Sequence, residues 1–281
     1  MRAAKTAALF SLLCSLGGCG TYVPSLGDWP NNSYGDSVAM INSIVHSVRC
    51  ELRQAVTQVV GTDVAASRLR RSRRAYADFL DNWGAQVVFT FTIVEKSTVN
   101  PNAVWAPPSP ATAVFTLAGG VTASAEATRV EKLNFFYTVR ELYLRDGETC
   151  EPSGLYANSS FLIKNDLKIA ELLESRMLPI VTGNASAPGS SDSNAITHQV
   201  SFEVISSGGI TPTWKLTRAT INGSESFLSA SRGRTHDMIV TFGPIDKPRG
   251  GKSLIAIAEQ SHFTTQLTAG FRAGVRSTLP R

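Results

Sequence analysis

From Val38 onward, apolar residues recur three and four positions apart: Val38, Ile41, Val45, Val48, Leu52, Val56 and Val59, with Val60 beside the last. That spacing puts one apolar stripe on a helix turning 100° per residue. Asp36 precedes it and can cap the first turn, where backbone N–H groups lack partners. Gly61 is the expected stop, and Thr62 or Asp63 the start of a second helix over about 64–83. With so short a joint the two are expected to pack antiparallel, as a helical hairpin. The period then changes to two. Val87, Phe89, Phe91 and Ile93 alternate with Val88, Thr90, Thr92 and Val94, the mark of a strand. Residues 121–128 and 133–140 alternate in the same way, with Gly119-Gly120 read as a bulge in the first of these runs.

Asn165 or Asp166 opens a third helix, with Leu167, Ala170, Leu173 and Met177 on one face and a stop near Pro179. Further strands are expected near 197–206, 211–221 and 235–242, with turns at Ser206–Gly209 and Asn222-Gly223. Residues 253–275 form a possible last helix, with Ile257, Ser261, Thr264, Leu267 and Phe271 on one face. The fold class is α+β: an N-terminal helical hairpin, an antiparallel sheet, one mid-chain helix and a C-terminal helix. Residues 183–195 contain no bulky apolar side chain and read as a linker or loop. They separate 36–182 from 196–281, two segments that can also fold together.

The first eighteen residues follow different rules. Arg2 and Lys5 precede an apolar run from Ala7 to Gly18. This is the layout of a secretory signal peptide, and the run is short of the roughly 20 apolar residues that span a bilayer. It ends in Leu16-Gly17-Gly18-Cys19, which resembles the lipobox of bacterial lipoproteins, although Gly17 stands where Ala or Ser is commoner. The resemblance implies cleavage before Cys19, a diacylglycerol on its thiol and an acyl chain on its new amine. Gly20, rather than Asp, implies transfer to the outer membrane of a double-membraned cell, facing the periplasm. Residues 19–35, rich in Gly, Pro and Asn, then read as a tether.

Charge adds little. The chain carries 27 basic and 22 acidic residues, and 25 against 22 once the first eighteen are removed. So small an excess gives no footprint for nucleic acid. Of the two remaining cysteines, Cys50 lies opposite the apolar stripe of its helix, where an oxidising compartment favours a bridge to Cys150.

Catalytic patterns are sparse. Gly250-Gly251-Lys252-Ser253 has the tail of a phosphate-binding loop, but Asp246 stands where its first Gly is required. His46, His198, His236 and His262 include no i, i+4 pair of the zinc type. No metal or cofactor is expected. His236-Asp237 offers a base and a carboxylate, and with them an alternative reading as a periplasmic hydrolase. The main reading is a non-enzymatic envelope lipoprotein that binds or scaffolds another component. Arg68, Arg70, Arg71, Arg73 and Arg74 form the densest charge cluster, read either as a solvated helix face or as a contact surface for an anionic lipid, glycan or envelope protein. Trp105 and Trp214, each close to prolines, are expected to plug the edge of the core, the alternative being a sugar-stacking or partner-anchoring role.

Overall fold

The computed structural model describes residues 22–26, 34–69, 75–109, 113–144, 150, 160–188, 194–216, 218–223 and 226–278. In chain order it contains helix α1 (Tyr34–Leu69), a 3₁₀ turn (Ala77–Asn82), and strands β1 (Trp83–Val99), β2 (Asn102–Trp105), β3 (Leu117–Gly120) and β4 (Ala123–Thr138). Helices α2 (Val139–Leu144), α3 (Phe161–Lys164) and α4 (Ile169–Val181) follow. Then come β5 (Ile196–Ile210), β6 (Trp214–Lys215), β7 (Ala219–Ile221), β8 (Leu228–Pro244), a second 3₁₀ turn (Lys247–Arg249) and α5 (Ala256–Thr278). The architecture is α+β, with two antiparallel four-stranded sheets ordered β4-β1-β8-β5 and β3-β2-β7-β6. The signal-peptide and lipidation readings, at 1–18 and Cys19, lie outside the described residues. So do Arg70, Arg71, Arg73 and Arg74.

The chain divides into two compact units, neither of them continuous in sequence. The larger takes in 27–90, 131–202 and 236–281. Its helical layer is built on α1, whose buried face runs Met40, Ile44, Val48, Leu52, Ala55, Val56, Val59 and Asp63. The predicted stripe is displaced by part of a turn at its start, because Val38 is exposed. The expected hairpin is one 36-residue helix. Gly61 does not end it. Glycine costs a helix about 1 kcal/mol relative to alanine, but Val59 and Asp63 carry the buried face across it, and that packing prevails. Asp63 still caps: its carboxylate accepts the N–H groups of Tyr76 (2.6 Å) and Ala77 (2.8 Å), holding the start of the first 3₁₀ turn.

Helix α4 packs on α1 with Leu173 and Met177, as their spacing predicts, joined by Ile169 and Ile180. It runs through Pro179 to Val181. Cys50 and Cys150 stand at disulfide distance, with Cα atoms 5.4 Å apart. Cys50 is only 8% exposed, so the face opposite Val48 is covered rather than open.

Strands β1 and β8 are buried on both sides over 83–89 and 236–244, with only Gln86 half-exposed. One side of β8 carries α5. Gly243 makes this possible: a Cβ there would lie 2.8 Å from that of Ala258, so only glycine admits the helix so close. The contact also decides which face of α5 is inside. Ala258 and His262 are buried, while Ile257, Leu267 and Phe271, expected on the packing face, are exposed together with Phe263 and Val275. His262 Nδ1 lies 2.7 Å from Thr241 Oγ1, itself 3.0 Å from Thr197 Oγ1. Burial pushes its pKa down to about 4, so it is neutral at physiological pH.

Glu51 ties α1 to the turn before α4, its Oε1 accepting the Leu167 N–H at 2.8 Å. Burial, with Asp166 adding negative charge beside it, raises its pKa to about 7 against the pull of the Leu167 and Ile169 N–H groups. A folded pKa above the unfolded value means that the folded state holds the proton longer. The stability so gained is complete below about 4.5 and is lost as pH rises through about 7. Glu51→Gln keeps the shape and an acceptor without the charge. It should melt with the wild type near pH 5 and be the more stable near pH 8, by about 1 kcal/mol after screening of a half-exposed group. Thermal denaturation at the two pH values checks this, and an equal gap at both would refute the assignment.

Candidate functional site

The smaller unit comprises residues 1–26, 91–130 and 203–235. Residues 22–26, expected within the tether, are fixed to it. Arg129 donates to the Pro24 carbonyl (3.2 Å), and Arg232 donates to that of Ser25 (2.7 Å) while pairing with Glu95. Leu26 is buried and Tyr22 exposed. The expected turn at Ser206–Gly209 is absent, since β5 continues to Ile210. Gly119-Gly120 end β3, paired with Ala103 and Asn102, rather than forming a bulge.

Pairing in the small sheet is reciprocal at two asparagines. The Asn222 N–H donates to the Asn102 carbonyl (2.7 Å), the Asn102 N–H to Asn222 Oδ1 (3.2 Å) and the Gly223 N–H to Asn102 Oδ1 (3.2 Å). Asn222 is buried at φ 54°, a left-handed conformation that asparagine tolerates better than most residues. This fixes the register. Trp105 faces Leu117 on one side and Ala219 on the other. Ala103 faces Gly119 and Ile221, and Ile221 in turn faces Trp214. Directly opposed residues share a face, as do residues two apart on one strand. One face therefore holds Ala103, Trp105, Leu117, Ile221, Trp214 and Ala219, with Gly119 between them. Leu216 lies just beyond β6 and is tied to β7 through its N–H to the Ala219 carbonyl (2.8 Å).

That face is bare. Trp105 and Trp214 are 49% and 52% exposed, Leu117 and Leu216 56% and 63%. The expectation that the tryptophans plug the edge of the core is overturned by this exposure. Fully burying a large apolar side chain is worth about 1.5–3 kcal/mol, so each of these retains about 1 kcal/mol of unrealised burial. Large contiguous apolar patches are a common property of interaction sites, which makes this face the candidate site. The alternation was present in the sequence as Ala103/Trp105, Leu117/Gly119, Trp214/Leu216 and Ala219/Ile221. What the sequence did not show was the register that gathers these short pieces together.

The same unit has a polar cleft of about 510 Å³ lined by Lys96, Thr98, Ser207, Ser226, Ser229 and Ser231, among others. Its lining offers hydroxyl and ammonium hydrogen bonds, suited to holding a polar group.

The hydrolase candidates lie in the larger unit. His236 Nδ1 is 2.8 Å from Ser160 Oγ, and both residues are buried. Ser160 Oγ also accepts the Leu162 N–H and so caps α3. Asp237, next along the strand, projects to the other face, where Gln199 donates to it at 2.9 Å. Burial raises its pKa against the pull of Gln199, Ser201 and Lys132. The expected base and carboxylate are thus on opposite sides of the sheet. His198 Nε2 lies 2.8 Å from the Leu167 carbonyl. Asp246, in the phosphate-loop candidate, accepts the Arg249 N–H and caps the second 3₁₀ turn. Arg68 is exposed in the last turn of α1. Among the described residues, no helix is long and apolar enough to cross a membrane, and no group of His, Cys, Asp and Glu is placed to hold a metal. No family model matches the chain, and no curated protein does.

Asn222→Ala removes one acceptor and puts a Cβ without amide compensation into a left-handed residue. Losses of about 1–3 kcal/mol are expected, confined to the smaller sheet. Hydrogen exchange should rise at Ala103–Trp105 and Ala219–Ile221 while amides of 236–244 stay protected. Uniform loss of protection would contradict the local role.

Proposed function

We propose that the protein is an envelope lipoprotein, acylated at Cys19 and held at the periplasmic side of the outer membrane, with a binding or scaffolding rather than a catalytic role. The observation that carries the binding role is the apolar face of the β3-β2-β7-β6 sheet, with two half-exposed tryptophans fixed in register. The anchoring part rests on the N-terminal pattern: a short basic start, an apolar run and Leu16-Gly17-Gly18-Cys19. Three acyl chains there would hold the chain to a bilayer, where one alone binds only marginally.

The hydrolase reading has one observation in its favour, the 2.8 Å contact between Ser160 and His236. The burial of both groups and the use of Ser160 as a helix cap support a structural role for the pair instead.

Two measurements test the proposal. Cells expressing the wild-type chain and fed a clickable fatty acid should label it, and Cys19→Ser should lose the label. Equal labelling of both would remove the anchor. The purified protein should also stay unmodified by a fluorophosphonate, whereas adduct formation on Ser160 would restore the enzyme reading.

A further inference from the structure

We infer that the two-tryptophan face of the small sheet lies against the surface of an anionic lipid bilayer, the one in which the chain is anchored. The inference rests on the lipoprotein reading above and names the partner of that binding face.

Three observations carry it. The first is the length of the leash. Pro24 and Ser25 are held by Arg129 and Arg232, in the same compact unit as the small sheet. Only Gly20 and Thr21 separate Tyr22 from Cys19, three residue steps that span at most about 11 Å. An acylated Cys19 therefore keeps this unit at the membrane, and the lipid surface is the apolar partner present at the highest local concentration.

The second is charge. Residues 100–122 contain no charged side chain, and 210–223 contain Lys215 and Arg218 but no acid. The face itself is thus uncharged. Lys215, opposite Thr220, and Arg218, beside Ala219, stand out of phase with the tryptophans on the edge strand and the turn next to it, from which their long side chains snorkel to phosphate headgroups. The third is the kind of side chain. Trp105 and Trp214 have an apolar ring and one N–H donor, the combination that suits the boundary between acyl chains and headgroups. Lying flat at that boundary keeps the backbone of the sheet paired with itself, as the bilayer demands.

The test uses the whole acylated chain in vesicles, with Trp29→Phe so that emission comes from Trp83, Trp105 and Trp214. Trp83 is fully buried and reports the fold in every variant. Vesicles are made of phosphatidylcholine alone or with phosphatidylglycerol, with or without bromine on the acyl chains. We expect blue-shifted emission and bromine quenching, stronger with phosphatidylglycerol. Trp105→Phe and Trp214→Phe should each remove part of the quenchable signal. Lys215→Gln and Arg218→Gln should each weaken insertion about fivefold in the anionic vesicles and leave the neutral ones unchanged.

If the chain is acylated and floats with the vesicles but both tryptophans remain open to acrylamide and untouched by bromine, the face does not meet lipid and the inference is wrong. A blue shift without bromine quenching, together with cross-linked dimers, would mean that a second copy covers the face, and would equally overturn it. If mass spectrometry finds no acyl group and the chain does not float, the anchor has failed and the inference falls with it. Bromine quenching without acylation would instead uphold lipid contact and remove the anchor alone.

Discussion

The pleat of a β-strand sends neighbouring side chains to opposite faces, and this rule decides both candidate sites. In β8 it sends His236 toward Ser160 and Asp237 toward Gln199, so two residues adjacent in sequence do not meet. In the small sheet the same rule brings together residues far apart in the chain. Trp105, Leu117, Trp214 and Ile221 come from four strands, yet each takes the same phase of the pleat. The register set by Asn102 and Asn222 makes those phases coincide, since a slip by one residue would turn a strand's apolar set to the other face.

Much of the fold was legible because it depends on period. The helix from Tyr34, the strand over Val87–Ile93, the mid-chain helix near Leu173 and Met177, and the C-terminal helix all announce themselves as repeats of 3.6 or 2. Punctuation was less dependable. Gly61 reads as a stop but lies within α1, because the burial of Val59 and Asp63 outweighs a propensity term of about 1 kcal/mol. Gly208 and Gly209 lie within β5 for a similar reason: pairing, not the local residue, sets where a strand ends. On α5 the apolar stripe pointed to the wrong side. The sheet needed a close approach at Gly243, and only the small side chain of Ala258 could supply it. The candidate face was the least legible part. Its strands are two to four residues long, too short for alternation to stand out, and their convergence is a property of register alone.

Two groups of the larger unit, the buried His262 and the half-buried Glu51, pull in opposite directions with pH. His262 resists protonation because burial penalises its cation, and Glu51 resists ionisation because burial penalises its anion. Both follow from one cause, the cost of placing charge away from water. As pH falls from neutrality the first loses stability and the second gains it. The net dependence between about pH 5 and 7 is therefore flatter than either group alone would give.

The outer strands of the small sheet are β3, with four residues, and β6, with two. A long open edge invites another chain to add itself strand by strand, and short edges are one means by which natural sheets avoid this. The stickiness of this sheet is accordingly confined to its face, while its margins offer little for a growing fibril to copy. A sheet can in this way leave an apolar face open without seeding its own precipitation.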